Sequence, residues 1–182
     1  LPLTIRVVTP DSGKEVIETA DVIMVGGGNT FKLLHDIYRF DLFSLVQRSV
    51  QNGTPYIGWS AGANLAGRTI CTTNDMPILQ PESFTAFGFF PFQLNPHYYN
   101  VSIEGFHGET RDQRLTEFLQ VNPGIPVVGL PEGTALQRRG ESLQLVGERS
   151  AVLFQNSKED ISVAKIDLPP ATELSFLLNK DV

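Results

Sequence analysis

The segment Gly58-Trp59-Ser60-Ala61-Gly62 follows the short apolar segment 55–57 and opens a run of small residues at 61–66. This G-x-S-x-G pattern is typical of a tight turn between a strand and a helix, where a serine hydroxyl stands clear of a sheet. Glycine suits both flanks because it has no Cβ to clash where the backbone is strained. Ser60 could instead only cap the helix. A cap does not require glycine on both sides, so the pattern favours Ser60 as a nucleophile.

The alternation of strand-like and helix-like segments predicts an α/β fold with a mostly parallel sheet flanked by helices. A helix is expected from Phe31 to Val46, with a break near Phe40-Asp41. Residues 68–91 contain prolines and aromatic residues without a regular period, and predict a long functional loop. Short alternating runs after Glu132 predict antiparallel hairpins near the C-terminus. Strands are expected at 4–8, 22–25, 55–57, 92–94, 126–130, 135–138, 142–146, 151–154 and 161–166.

The length and composition indicate one domain. The chain has 182 residues, of which 41% are hydrophobic, so it can bury a substantial core. Because it begins at Leu1 and enters a strand candidate almost at once, we expect residues 1–182 to be a single domain without an N-terminal strand-helix portion.

The charge and the cysteine content restrict the partners. A formal net charge of −6 without a lysine-arginine cluster argues against nucleic acid or an anionic membrane. A single cysteine excludes an internal disulfide, and with only three histidines it argues against a structural zinc site. We therefore expect no metal and no cofactor, neither nucleic acid nor a membrane as the main partner, and a cytoplasmic location.

A serine hydroxyl needs a base, and histidine is the usual one. His97 directly follows a predicted strand, where functional groups of an open α/β sheet gather. His107 lies in a polar loop and is less favoured, and His35 is expected to be a packed or surface residue of a helix. Glu132 also lies just past a predicted strand, and could orient the imidazole of His97. Alone, Glu132 would be read as a solvated turn residue; together the three strand ends favour a relay of Ser60, His97 and Glu132.

A second glycine turn, Gly26-Gly27-Gly28, lies between a predicted strand and a helix. It lacks the endings of a P-loop and of a dinucleotide fingerprint, so a phosphate cradle is disfavoured. Its N–H groups could instead stabilise an oxyanion, and we predict an oxyanion hole from the N–H groups of Gly28 and Ala61. A tight turn without any catalytic part is the alternative.

Six separated motifs occur in one order along the chain. Together they resemble peptidase E, the aspartyl dipeptidase family of serine peptidases. The resemblance extends from about Asp21 to Phe154. The motifs are VGGGNTF at 25–31, YIGWSAGAN at 56–64, TTNDMP at 72–77, NPH at 95–97, GETR at 108–111 and GLPEG at 129–133.

The resemblance implies a flavodoxin-like fold similar to that of class I glutamine amidotransferases, with serine in place of their cysteine. It also implies a Ser60-His97-Glu132 triad that hydrolyses dipeptides with an N-terminal aspartate. Members of this family carry an additional N-terminal strand and helix, which the chain does not contain.

The resemblance further indicates residues that bind the substrate. Arg111 matches an arginine thought to read the aspartate side chain, and a guanidinium can hold a carboxylate with two parallel hydrogen bonds. A solvated residue in the first turn of a helix is the plainer interpretation of Arg111. Asp75 is a candidate for holding the substrate ammonium group, although it could only cap its loop. Asn29 is a further candidate for contact with the substrate.

The sequence also bears on three other functions. An α/β-hydrolase is disfavoured because its histidine follows the acid in the chain, and no histidine follows His107 here. A cyanophycinase-like peptidase acting on aspartyl-arginine material shares the serine turn. A non-catalytic, amidotransferase-like binding domain is the alternative outside the enzymes. The sequence does not indicate an oligomeric state.

Overall fold

The computed structural model describes residues 4–100, 105, 107–156 and 162–179. Helices and strands alternate in its first two thirds, and strands prevail after residue 126. The helices are α1 Gly13–Glu18, α2 Thr30–Arg39, α3 Phe43–Gln51, α4 Ala61–Ala66 and α5 Arg111–Val121, with a 3₁₀ helix at Ser175–Leu178. The strands are β1 Ile23–Val25, β2 Tyr56–Gly58, β3 Gln93–Pro96, β4 Val127–Leu130, β5 Thr134–Arg139, β6 Ser142–Gly147, β7 Ala151–Asn156 and β8 Val163–Leu168.

The mixed α/β class is confirmed, but the described strands are not mostly parallel. β1 and β2 form one parallel pair, and β3 and β4 form another within the sheet β3-β4-β7-β8. The pairs β4–β7, β7–β8 and β5–β6 are antiparallel. The reason is the connections: parallel neighbours need a long crossover, usually a helix, and no described helix separates β4 from β7. The hairpin of β5 and β6 agrees with the prediction for the C-terminal part.

The N-terminal residues differ from the prediction. No strand forms at 4–8, where Ile5 and Val7 are 80% and 75% exposed and have no strand beside them among the described residues. A strand requires a neighbour that takes up its backbone hydrogen bonds. The short helix α1, which the sequence analysis did not predict, follows instead and packs against α3.

The break in the first long helix is confirmed. α2 ends at Arg39 and α3 begins at Phe43, and Asp41 between them has a φ of 54°. The loop 68–91 also agrees with the prediction, since no helix or strand lies between α4 and β3. Among the described residues, no helix is long and apolar enough to span a membrane.

Helix α4 joins the two halves of the molecule, because it packs against both β2 and β3. Its residue Leu65 is fully buried in the core formed by α1, α2 and α3, while Ala66 belongs to the core over the four-stranded sheet. Ser60, at the start of α4, is therefore held between the ends of two separate parallel pairs.

Candidate active site

The turn that carries Ser60 is strained and tightly packed. Ser60 has a φ of 54° and a ψ of −117°, a conformation that non-glycine residues rarely adopt. A Cβ on Gly58 would lie 2.4 Å from the Gly62 carbonyl oxygen, and one on Gly62 would lie 2.1 Å from that of Val25. The Tyr56 hydroxyl donates to the Gly62 carbonyl at 2.7 Å. Both flanking glycines are thus required by close backbone approach, as the sequence pattern predicts.

The glycine turn at 26–28 is joined directly to the serine turn. The Trp59 N–H donates to the Val25 carbonyl at 3.2 Å, and the Gly62 N–H donates to the Gly26 carbonyl at 3.1 Å. A Cβ on Gly27 would lie 3.3 Å from Ser60 Oγ, so this backbone passes against the hydroxyl. Two main-chain segments therefore enclose Ser60.

The two N–H groups predicted for the oxyanion hole are free to bind. Among the described residues, neither the Gly28 N–H nor the Ala61 N–H has a hydrogen-bond acceptor. Gly28 has a φ of 130°, a conformation that favours glycine, and Ala61 is the first residue of α4. N–H donors at the start of a helix lack partners within it and can donate hydrogen bonds to an anion. Their joint use remains a prediction.

His97 and Glu132 meet at the ends of the second parallel pair. Pro96 at the end of β3 is in register with Leu130 at the end of β4, which brings the residues that follow them together. His97 Nδ1 contacts Glu132 Oε1 within hydrogen-bond distance. The two side chains are 52% and 73% exposed. Because Nδ1 faces the carboxylate, Nε2 of the ring is left for a second partner.

Ser60, His97 and Glu132 line one cavity of about 920 Å³. No hydrogen bond joins Ser60 Oγ to His97 among the contacts of the described residues, so only the histidine-glutamate half of the relay is in contact. Catalytic hydrogen bonds of this kind are often longer before substrate binds. The cavity extends past aromatic residues of the long loop, and none of Gly28, Asn29, Ala61, Asp75 and Arg111 is among its described lining residues.

Arg111 is the first residue of α5, behind a capping box made by Thr110 and Gln113. Its Nη1 donates to Asn95 Oδ1 at 3.2 Å, and Asn95 is fully buried two residues before His97. Burial lowers the pKa of the Arg111 guanidinium, and the positive charge of Arg114 adds to this effect. In the part of the chain that the structure describes, no carboxylate forms an ion pair with Arg111.

Asp75 and Asn29 have structural contacts at the start of α2. Asp75 Oδ2 accepts from the Thr30 N–H at 2.7 Å and from the Thr30 hydroxyl at 2.6 Å. Asn29 caps α2 by accepting from the Lys32 N–H, and its Nδ2 donates to the Met76 carbonyl. These contacts anchor the long loop to the helix. The role of Asp75 and Asn29 in binding the substrate remains a prediction.

The two other histidines lie away from the described cavity. His35 is partly buried on α2, and His107 is exposed before α5. Asn95 was not predicted as a site residue; its Nδ2 donates to the Thr72 carbonyl at 2.7 Å and to Asn74 Oδ1 at 2.8 Å. An asparagine inside a strand is a usable signal, because it is buried only when its amide has partners. Among the described residues no group of acidic, histidine or cysteine side chains is arranged to hold a metal ion.

A model of Peptidase family S51 matches residues 4–146. The chain belongs to this family. A Peptidase E from Shewanella sp. (strain ANA-3) is 53% identical over 165 residues, which cover 91% of this chain and 68% of the relative. A Peptidase E from Shewanella oneidensis strain MR-1 is 51% identical over the same shares. The resemblance to peptidase E and the prediction of a hydrolase of the peptidase class are thereby confirmed at the level of the family.

A solved structure supports the fold. The crystal structure of a peptidase from an acI-B1 Actinobacterium matches with a TM-score of 0.64 and 19% sequence identity. The match covers 93% of this chain and 64% of that chain, so the present chain spans less than two thirds of the solved one. At this identity the likeness concerns the fold alone.

Proposed function

We propose that the chain is a serine peptidase that hydrolyses dipeptides with an N-terminal aspartate through a Ser60-His97-Glu132 relay. The observation that carries the proposal is the strained Ser60 turn in one cavity with the His97–Glu132 pair. Membership of a peptidase family supports the same reaction class. We further propose that the complete fold is flavodoxin-like and resembles class I glutamine amidotransferases, and that the protein works in a reducing compartment such as the cytoplasm, which suits the free and exposed Cys71.

The reaction proceeds in two steps. In the first, Nε2 of neutral His97 takes the proton of Ser60 as Oγ attacks the carbonyl carbon of the substrate aspartate. The C–N bond breaks, and His97 gives the proton to the leaving amine. In the second, His97 takes a proton from water as the water oxygen attacks the acyl carbon. The bond to Ser60 Oγ then breaks, and His97 returns the proton to Oγ. Glu132 at Nδ1 stabilises the imidazolium formed in each step.

The carbonyl oxygen gains negative charge in both steps. The N–H groups of Gly28 and Ala61 are the proposed donors to it, because they have no other acceptor among the described residues. They belong to the two main-chain segments that enclose Ser60, so they need little rearrangement when the oxyanion forms.

Arg111 supplies the proposed selectivity for aspartate. It is half-buried, it is positively charged, and it has no carboxylate partner among the described ion pairs. Its contact with Asn95 places it beside the end of the strand that carries His97. A carboxylate held there would gain charge-assisted hydrogen bonds that an apolar side chain cannot form.

The test is hydrolysis of Asp-Leu, Glu-Leu and Ala-Leu by the wild-type chain and by three variants. Ser60→Ala should lower turnover by at least ~10³-fold, because the remaining groups supply only a small part of triad catalysis. Arg111→Ala should lower kcat/KM for Asp-Leu by about 100-fold and leave Ala-Leu unchanged, since a hydrogen bond to a charged group is worth about 1.5–3 kcal/mol.

Arg114→Ala is the matched control, because Arg114 lies one turn further along α5 and its ion pair among the described residues is with the exposed Glu109. Equal loss in both arginine variants, or a Ser60→Ala variant as active as the wild type, contradicts the proposal. Faster cleavage of aspartyl-arginine material than of Asp-Leu would favour the cyanophycinase-like alternative. Absence of labelling by a serine-directed phosphonate would favour a non-catalytic domain.

A further inference from the structure

Three side chains outside the relay form a connected cluster beside it. Tyr98 directly follows His97, and its hydroxyl donates to Asp112 Oδ1 at 2.5 Å. Asp112 directly follows Arg111, and its second oxygen accepts from Lys165 Nζ at 2.7 Å. Tyr98, the neighbour of the proposed base His97, is therefore hydrogen-bonded to Asp112, the neighbour of Arg111.

The ring of Tyr98 is fixed from several directions. Only 9% of the residue is exposed, and its N–H donates to the Leu130 carbonyl at 3.0 Å. A Cβ on Gly129 would lie 2.7 Å from the ring, so only glycine leaves room for it in β4. Phe154 of β7 packs edge-on with a centroid separation of 5.9 Å. The hydroxyl is thus held in one place while it reaches α5.

The charges of the cluster are complementary. Burial is the main cause that raises the pKa of Tyr98 to about 12, so its hydroxyl stays protonated and donates. The hydrogen bond to Asp112 raises the pKa of Lys165, which stays positive and neutralises the carboxylate. Lys165 Nζ also lies 5.9 Å from the centroids of both the Tyr98 and the Phe154 rings. The helix start that bears Arg111 is accordingly tied to the four-stranded sheet by a side chain from β8.

We propose that Tyr98, Asp112 and Lys165 are positioning residues that fix Arg111 relative to His97. The cluster touches neither substrate nor reacting atoms, and acts through the backbone of the two residues that do. This inference rests on the proposed function, since it concerns how the aspartate side chain is held while the relay attacks its carbonyl. Without the Tyr98 hydroxyl, the first turn of α5 can shift against the end of β3, and Arg111 shifts with it.

The expected effect is a loss of selectivity. Tyr98→Phe keeps the packed ring and removes only the hydroxyl, which donates a hydrogen bond to the charged Asp112 carboxylate. We expect kcat/KM for Asp-Leu to fall by about 10-fold, mostly through a higher KM, with Ala-Leu within 2-fold of wild type, because small misplacement of a binding group is costly. A loss of folded protein would instead lower the activity on both substrates equally.

The experiment measures kcat and KM for Asp-Leu and Ala-Leu in the full chain with Tyr98→Phe, Asp112→Asn and the double variant. Tyr99→Phe is the control, because it removes the same atom from the next residue, which is 66% exposed and has no hydrogen-bond partner for its hydroxyl among the described residues. The two single variants should change the ratio of kcat/KM for Asp-Leu to kcat/KM for Ala-Leu by the same factor. The double variant should change this ratio little further, since the effects of substitutions in one network are not additive. Asp112→Asn keeps the inference testable if Tyr98→Phe does not fold.

Each outcome bears on a different statement. If the wild type prefers Asp-Leu and the variants keep this preference, the positioning role is overturned and the proposed function stands. A wild type without preference for Asp-Leu overturns the proposed function, and this inference with it. An equal loss in Tyr99→Phe and Tyr98→Phe also overturns the positioning role.

Discussion

The serine turn and the histidine-glutamate pair are built in opposite ways. Ser60 is held by main chain: Gly58 and Gly62 touch neighbouring carbonyls so closely that any side chain would displace them. His97 and Glu132 meet through their side chains, which are more than half exposed. The Ser60 hydroxyl is therefore enclosed by backbone atoms. The pair, although His97 also has a φ of 54°, is completed by a solvated side-chain contact.

This difference determines what each half can tolerate. A turn enclosed by backbone atoms cannot relax around an added carbon, because peptide groups do not rotate away as side chains do. Even a charged pair at the surface contributes only about 0–1 kcal/mol to stability, so loss of the exposed His97–Glu132 contact leaves the fold intact. Changes at the serine turn should damage folding and catalysis together, whereas changes at the pair should affect catalysis alone.

Gly62→Ala is the strongest test of the backbone half. The new Cβ would lie 2.1 Å from the Val25 carbonyl oxygen, so the turn must move by more than a side-chain adjustment. We expect turnover of Asp-Leu to fall by more than about 100-fold, since a displacement of ~1 Å has that cost. The melting temperature should fall by about 10 °C, corresponding to about 3 kcal/mol.

Gly26→Ala is the matched control, measured by the same dipeptide assay and by thermal unfolding. A Cβ there would meet the half-exposed ring of Trp59 at 3.2 Å, which can move aside. A Gly62→Ala variant as stable as Gly26→Ala would show that the serine turn is not fixed by its backbone, and the contrast with the pair would be lost.

Glu132→Gln tests the side-chain half. Glutamine can still contact the imidazole, but it cannot stabilise the imidazolium by charge. We expect kcat for Asp-Leu to fall by about 10- to 100-fold, less than the ~10⁴-fold known for a buried triad acid, because water screens an exposed carboxylate. The melting temperature should change by less than about 2 °C.

Glu148→Gln, an exposed glutamate after β6, controls for the loss of one surface charge. The two variants are compared by steady-state kinetics and by thermal unfolding. If Glu132→Gln lowers the melting temperature as strongly as Gly62→Ala, the His97–Glu132 contact stabilises the fold as much as the serine turn does, and the two halves of the relay do not differ in this respect.

The sequence predicted the site better where the signal is local. Gly58 and Gly62 indicated the turn, and His97 and Glu132 were predicted because each lies just past the end of a strand. The helix break at Asp41 was local as well. In each case the residue and its structural cause are only a few positions apart.

The rest depended on contacts between distant segments. The hydrogen bonds that Asp112 accepts from Tyr98 and from Lys165 join three separate segments, and no spacing within one segment reveals them. Antiparallel strands after Glu132 were predicted, but the pairing of β7 with β4 was not, since it depends on which distant strands become neighbours. The strand expected at 4–8 failed because its residues have a suitable period but no described strand beside them.

Asp75→Asn is the smallest and most selective change, and it refines the contrast by testing a side chain that supports the backbone half. Asp75 Oδ2 accepts both hydrogen bonds from Thr30, and an asparagine oxygen can accept them too. Oδ1 has no hydrogen-bond partner among the described residues and is the atom proposed for the substrate ammonium. The substitution therefore keeps the anchor of the long loop and removes the charge.

For Asp75→Asn we expect an unchanged melting temperature and a KM for Asp-Leu raised by about 5-fold, within the ~1 kcal/mol of a partly exposed ion pair. N-acetyl-Asp-Leu, which has no ammonium group, should be cleaved equally poorly by both proteins. An unchanged KM for Asp-Leu would assign Asp75 to the loop anchor alone.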